Sequence, residues 1–121
     1  MPSFFKNRSF DMYVYKDLVT DEKCRDKKSA VIRKIRMNAG LVGIYLICLA
    51  SGRDTFDIID CSNLKQRKYP KKDLYILGIA EGKDNAVELA ARLFVTFSAI
   101  YGREQFKQQL LNHQDTLFRR Y

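Results

Sequence analysis

Tryptophan is missing from this chain, and histidine occurs once, as His113. With one histidine, a paired-imidazole metal site is excluded. General acid–base work would fall to Asp, Glu, Lys or Tyr. His113 lies in the polar stretch Leu111-Asn-His-Gln-Asp and reads as an exposed helix end rather than the base of a Ser–His or Cys–His pair. Cysteine is scarce too. Cys24, Cys48 and Cys61 are odd in number and match no zinc-binding spacing. Cys48 and Cys61 sit in apolar, strand-like runs, where a thiol behaves as a small hydrophobe. They read as reduced thiols of a reducing compartment, and the expected location is the cytoplasm.

No long hydrophobic run is present. The longest uncharged stretch, Met37 to Gly52, has 16 residues, against roughly 20 for a membrane-spanning helix. The opening Met1-Pro-Ser-Phe-Phe-Lys-Asn-Arg holds neither a signal-peptide core nor a glycine at position 2 for acylation. A soluble protein without a membrane partner is expected.

Phosphate-loop chemistry is also lacking. Gly78-Ile-Ala-Glu-Gly-Lys-Asp has three residues between its glycines and Asp84 after Lys83. A P-loop needs four and a Ser or Thr there. Asp54, Asp57 and Asp60 recur every three residues, which in a strand alternates faces and prevents convergence on one metal. No cofactor, metal or catalytic set is predicted, and the enzyme reading is disfavoured.

What is there suits one globular domain over residues 1–121. Of the residues, 46% are hydrophobic and 30% charged. A chain of this length can bury a core without staples. Gly43–Ala50 and Leu74–Ala80 are apolar runs that read as strands buried on both faces. Ser51-Gly52-Arg53-Asp54 is turn chemistry, and Thr55–Cys61 follows as a strand, which predicts an antiparallel hairpin. Ser9–Tyr15 alternates, with Phe10, Met12 and Val14 on one face, and is placed at a sheet edge.

Thr20 and Asp21 supply N-caps for a basic helix reaching Asn38, with Ala30, Val31 and Ile35 on one stripe. A competing reading makes Val31–Met37 a strand. After Leu74–Ala80, a glycine loop with Asp84 as the expected cap opens a helix carrying Leu89, Leu93 and Phe97 inward. Arg103–Asn112 reads as a further short helix, and Leu117–Tyr121 as a tail that frays or docks. The predicted fold is α/β, with α+β as the alternative. It is a single mixed sheet of about four strands packed with two or three helices, in the order β-α-β-β-(α)-β-α-α.

Two features bear on function. The net charge is +8, from 22 Lys and Arg against 14 Asp and Glu. Such an excess attracts nucleic acid, acidic proteins or anionic surfaces. It concentrates in the basic helix (Lys27, Lys28, Arg33, Lys34, Arg36) and in the connection at 65–72 (Lys65, Arg67, Lys68). If the two share a face, Tyr45 and Tyr69 could add stacking surfaces. The other feature is the aromatic load of the terminal helices, including Phe94, Phe97, Tyr101, Phe106 and Phe118, with Phe4 and Phe5 at the start. Surplus apolar surface marks contact with another chain.

The leading expectation is a non-enzymatic interaction module that forms a homo-oligomer or takes a protein partner. The alternative is a nucleic-acid-binding protein using the eight basic residues named. The third is a small-ligand or anion site at Glu81, Gly82 and Lys83, where ligand crevices of α/β sheets open.

Overall fold

The structure is a computed structural model that describes residues 11–37, 41–65 and 73–121. Strands β1 (Met12–Thr20), β2 (Ile44–Leu49), β3 (Phe56–Asp60), β4 (Leu74–Glu81) and β5 (Phe118–Arg120) form one sheet in the order β3-β2-β4-β1-β5. β1 and β4 run parallel; the other three neighbouring pairs are antiparallel. The helices are α1 (Lys28–Arg36), α2 (Lys83–Tyr101), α3 (Phe106–Asn112) and α4 (Gln114–Leu117), with a short 3-10 turn at Cys61–Lys65.

The two apolar runs lie inside the sheet for the reason their composition gives. β4 is the middle strand, and Ile76, Leu77, Ile79 and Ala80 are fully enclosed. Alternate residues of the sheet feed two separate cores. On one face Val14, Leu46, Ile76 and Ile79 pack with Val31, Ile32 and Ile35 of α1. On the other, Ile47, Leu77 and Ala80 pack with Leu89, Leu93 and Phe97 of α2 and with Phe106 and Leu110 of α3. Each such side chain contributes roughly 1.5–3 kcal/mol by leaving water. α2 packs directly on β4 at Gly78, where a Cβ would stand 3.1 Å from both Leu89 Cδ2 and the Val19 carbonyl oxygen.

The structure corrects the sequence reading at several points. β1 is not an edge strand: it lies between β4 and β5. The edge is taken by β5, a fifth strand formed where a fraying or docking tail was expected. It docks because Phe118 drops into the second core and Tyr121 N–H donates to the Met12 carbonyl at 2.8 Å. The basic helix begins later than its caps suggested. Residues 22–27 form turns, and α1 starts at Lys28. The strand alternative for Val31–Met37 is overturned, since that segment continues α1. Asp84 does not cap α2; the N-cap is Gly82, at φ 89, with no side-chain hydrogen bond.

Candidate nucleic-acid interface

β1 does not follow β4 evenly. Val14 pairs with Ile76, but the next pairing is Val19 with Gly78. Five steps along β1 therefore match two along β4, and Tyr15–Leu18 bulges away. Such irregularities re-aim side chains and are common beside functional sites. On its other edge β1 holds β5 up to the start of the bulge, with Val14 opposite Arg119 and Tyr15 opposite Phe118.

The bulge, β5 and α1 enclose a groove of about 430 Å³. α1 presents Lys28, Ile32 and Arg36 to it at four-residue spacing, with Arg33 beside them. That spacing keeps side chains on one helical face. Lys16 comes from the bulge and Arg119 from β5. Val14, Leu18 and Ile32 make an apolar floor, each less than a tenth exposed. Five cations thus line one cavity, and none of the described residues lining it is Asp or Glu.

Neighbouring strand residues alternate faces, which separates the two arginines of β5. Arg120 Nη2 reaches Asp11 Oδ2 at 2.8 Å, whereas Arg119 enters the groove. The Arg36 guanidinium lies 5.6 Å from the centroid of the Tyr121 ring, itself a groove residue. That is cation–π distance.

The predicted basic residues divide. Lys28, Arg33 and Arg36 come together in the groove. Lys34 is exposed on α1 and does not line it. Lys27 points elsewhere, with its Nζ 3.1 Å from Glu81 Oε1. Lys65 ends the 3-10 turn, and Arg67 and Lys68 lie outside the described residues. The stacking role expected for Tyr45 is not supported by its position. It packs on the α2 face of the sheet, opposite α1; Tyr69 lies outside the described residues. Lys16 and Arg119 were missed by sequence reasoning.

The Glu81–Lys83 loop is built differently. The parallel strands β1 and β4 end side by side, which brings Asp21 next to Glu81. Asp21 is only 8% exposed. Its Oδ1 accepts the Cys24 N–H at 2.9 Å and its Oδ2 accepts the Glu81 N–H at 3.1 Å. Two backbone donors stabilise this buried charge. Asn85 Nδ2 donates to the Glu81 carbonyl at 2.8 Å, and Gly82 N–H to the Gly43 carbonyl at 2.8 Å. Burial pushes the Cys24 thiol up to about 12, helped by its hydrogen bond to Asp21 and the charges of Asp21 and Glu81, against Lys27. Burial likewise pushes Cys61 up to about 12. The carboxylates here act as joints between loop and sheet, and Lys83 stands exposed at the start of α2. Among the described residues, no group of three or more His, Cys, Asp or Glu is placed to hold a metal ion.

The aromatic load that suggested a partner goes largely into the second core. Phe97, Phe106 and Phe118 are buried, while Phe94 and Tyr101 are half-buried. Their rings meet edge-on, tilted or stacked, as in Phe94–Phe106 at 5.6 Å, Tyr15–Phe118 at 5.7 Å and Phe97–Phe106 at 5.8 Å. Phe4 and Phe5 lie outside the described residues. What α2 leaves outside is Val87, Val95 and Ile100, all at least half exposed. Among the described residues no helix is long and apolar enough to cross a membrane.

No protein-family model matches this chain, and comparison with curated proteins and with solved structures gives no match either.

Proposed function

We propose that this chain is a nucleic-acid-binding protein that takes the phosphate backbone of its partner in the groove between α1, the β1 bulge and β5. The observation that carries this reading is the set Lys16, Lys28, Arg33, Arg36 and Arg119 around one cavity with no Asp or Glu side chain in its described lining. Surface cations normally mix with acids, and many exposed ion pairs cancel locally. Here the Coulomb field of five like charges adds over a small area. Lys and Arg are the residues that contact phosphate, and long-range attraction of this sign raises association rates. Three buried cysteines fit work in a reducing compartment, and we place the protein in the cytoplasm. The role is binding rather than catalysis.

Fluorescence anisotropy with a labelled oligonucleotide at low salt tests this. Arg33→Glu combined with Arg36→Glu should weaken binding by at least tenfold. Lys34→Glu, on the same helix but outside the groove, should weaken it far less. Equal losses from both would show that net charge, not the groove, drives binding.

A second reading is supported by the apolar side chains that α2 leaves exposed. Val87 (50% exposed), Val95 (68%) and Ile100 (63%) would be covered by a second copy of the chain. Light scattering across a dilution series should then show dimer giving way to monomer; monomer at every concentration would remove this reading.

A further inference from the structure

Resting on the reading of the groove as a phosphate-binding site, we infer that it takes single-stranded nucleic acid and seats an unpaired base on its floor. A rim of cations alone would serve duplex and single strand alike. The floor separates them. Val14, Leu18 and Ile32 form an apolar bed directly beneath Lys28, Arg33 and Arg36. A duplex keeps its base faces stacked inside and offers phosphate, sugar and base edges, so this bed would have no base face to cover. An unpaired nucleotide has both halves of what the groove offers: a flat, weakly polar ring and a charged phosphate one linkage away. A cavity of about 430 Å³ lies within the range of small-ligand sites, roughly 300–1,000 Å³, and is far too small for a double helix.

The wall supplies a stacking partner. The Tyr121 ring lies in the groove with the Arg36 guanidinium over it. A base can stack on either plane, and both kinds of stacking are used where single strands are bound. Tyr121 is held at its backbone by its N–H on the Met12 carbonyl and at its ring by the Arg36 guanidinium 5.6 Å from the ring centroid. Preorganisation of this kind lowers the ordering cost of binding. Stacking tolerates any base, so the groove should recognise strandedness rather than sequence.

The test uses the full chain and three labelled probes at one salt concentration: a short single strand, the same sequence as a duplex, and a single strand with its bases removed at several positions. The intact single strand should bind at least about tenfold tighter than either of the others, the margin expected for a stacked base. Tyr121→Leu should remove most of that margin while leaving the salt dependence intact; Tyr121→Phe, which keeps the ring, should preserve it. Equal binding of all three probes would overturn the base-seating inference while leaving the phosphate-binding groove standing. No binding of any probe at low salt would remove the underlying reading and this inference with it. The three-probe comparison needs no variant, so a substitution that fails to fold does not blunt it.

Discussion

Two charged regions flank the first residues of α1, and they are built on opposite plans. At the ends of the parallel strands β1 and β4, Asp21 accepts two backbone N–H groups and Glu81 takes Lys27. Around the corner, Lys28, Arg33 and Arg36 line a groove together with Lys16 and Arg119, and no Asp or Glu side chain is in its described lining. Lys27 and Lys28 are adjacent in sequence yet belong to different regions. A lysine count cannot tell a structural ion pair from a binding site. What decides is whether the fold delivers a carboxylate to the same place. The first region is a joint between strand ends and loop; the second, on the function proposed above, is charge held for a ligand.

That contrast can be broken from either side. The largest effect is expected at the joint. Asp21→Ala removes an acceptor from two backbone donors, Cys24 N–H and Glu81 N–H, in a buried place. Each stranded donor costs about 1–3 kcal/mol, so a loss of about 2–6 kcal/mol is expected in denaturant melts. Lys28→Gln with Arg33→Gln, by contrast, should leave stability within about 0.5 kcal/mol, as exposed substitutions usually do, while cutting oligonucleotide affinity. A large stability loss from the groove pair, or none from Asp21→Ala, would erase the distinction.

Alkaline pH sharpens it further. In the fold the Cys24 thiol is held near 12, above its ordinary 9.0, and so is Cys61. The unfolded chain releases these protons first. Stability is therefore full below about pH 9 and is lost as pH rises from there toward 12. Tyr15 and Tyr75, also raised by burial, add to the same trend. Denaturant melts at pH 8 and pH 10 should show a smaller difference for Cys24→Ala than for the unmodified chain. An unchanged difference would mean that the thiol ionises as readily in the fold as outside it.

The smallest effect is expected for Lys27→Gln. The Lys27–Glu81 pair is solvent-exposed, with side chains 54% and 37% accessible, and such pairs contribute about 0–1 kcal/mol. Melting should barely change, and neither should oligonucleotide affinity if Lys27 serves the joint rather than the groove. An affinity loss matching that of the Arg33 and Arg36 variants would put Lys27 with the groove.

Much of the fold was legible in the sequence, and the exceptions have physical causes. β2, β4 and α2 announce themselves because strands buried on both faces are continuous apolar runs and a long amphipathic helix keeps its period. The hairpin was legible from Ser51-Gly52-Arg53-Asp54; in the fold Lys107 also pins it, donating to the Gly52 and Asp54 carbonyls at 2.8 and 3.0 Å. Asp21 does make the expected cap bond, accepting the Cys24 N–H, but the segment after it closes in i→i+3 turns, Arg25 N–H to the Glu22 carbonyl and Lys27 N–H to the Cys24 carbonyl, so α1 itself starts only at Lys28. β5 has three residues, two of them arginine, and exists because β1 offers it an edge.

The site was legible only where it lies on one element. Lys28, Arg33 and Arg36 share a helical face by spacing alone. Lys16 arrives because β1 bulges, and Arg119 because β5 docks; neither event has a local signature. Nor does any local pattern tell Lys27 that a carboxylate 54 residues away will claim it.

The most direct test of the central claim is the salt dependence of oligonucleotide affinity, compared between the unmodified chain and the Arg33→Gln/Arg36→Gln variant. If the groove cations act together on phosphates, the slope of log affinity against log salt should be about −3 to −4 for a single strand, and shallower by about 1.4 in the variant. A slope that is the same in both proteins would contradict the account.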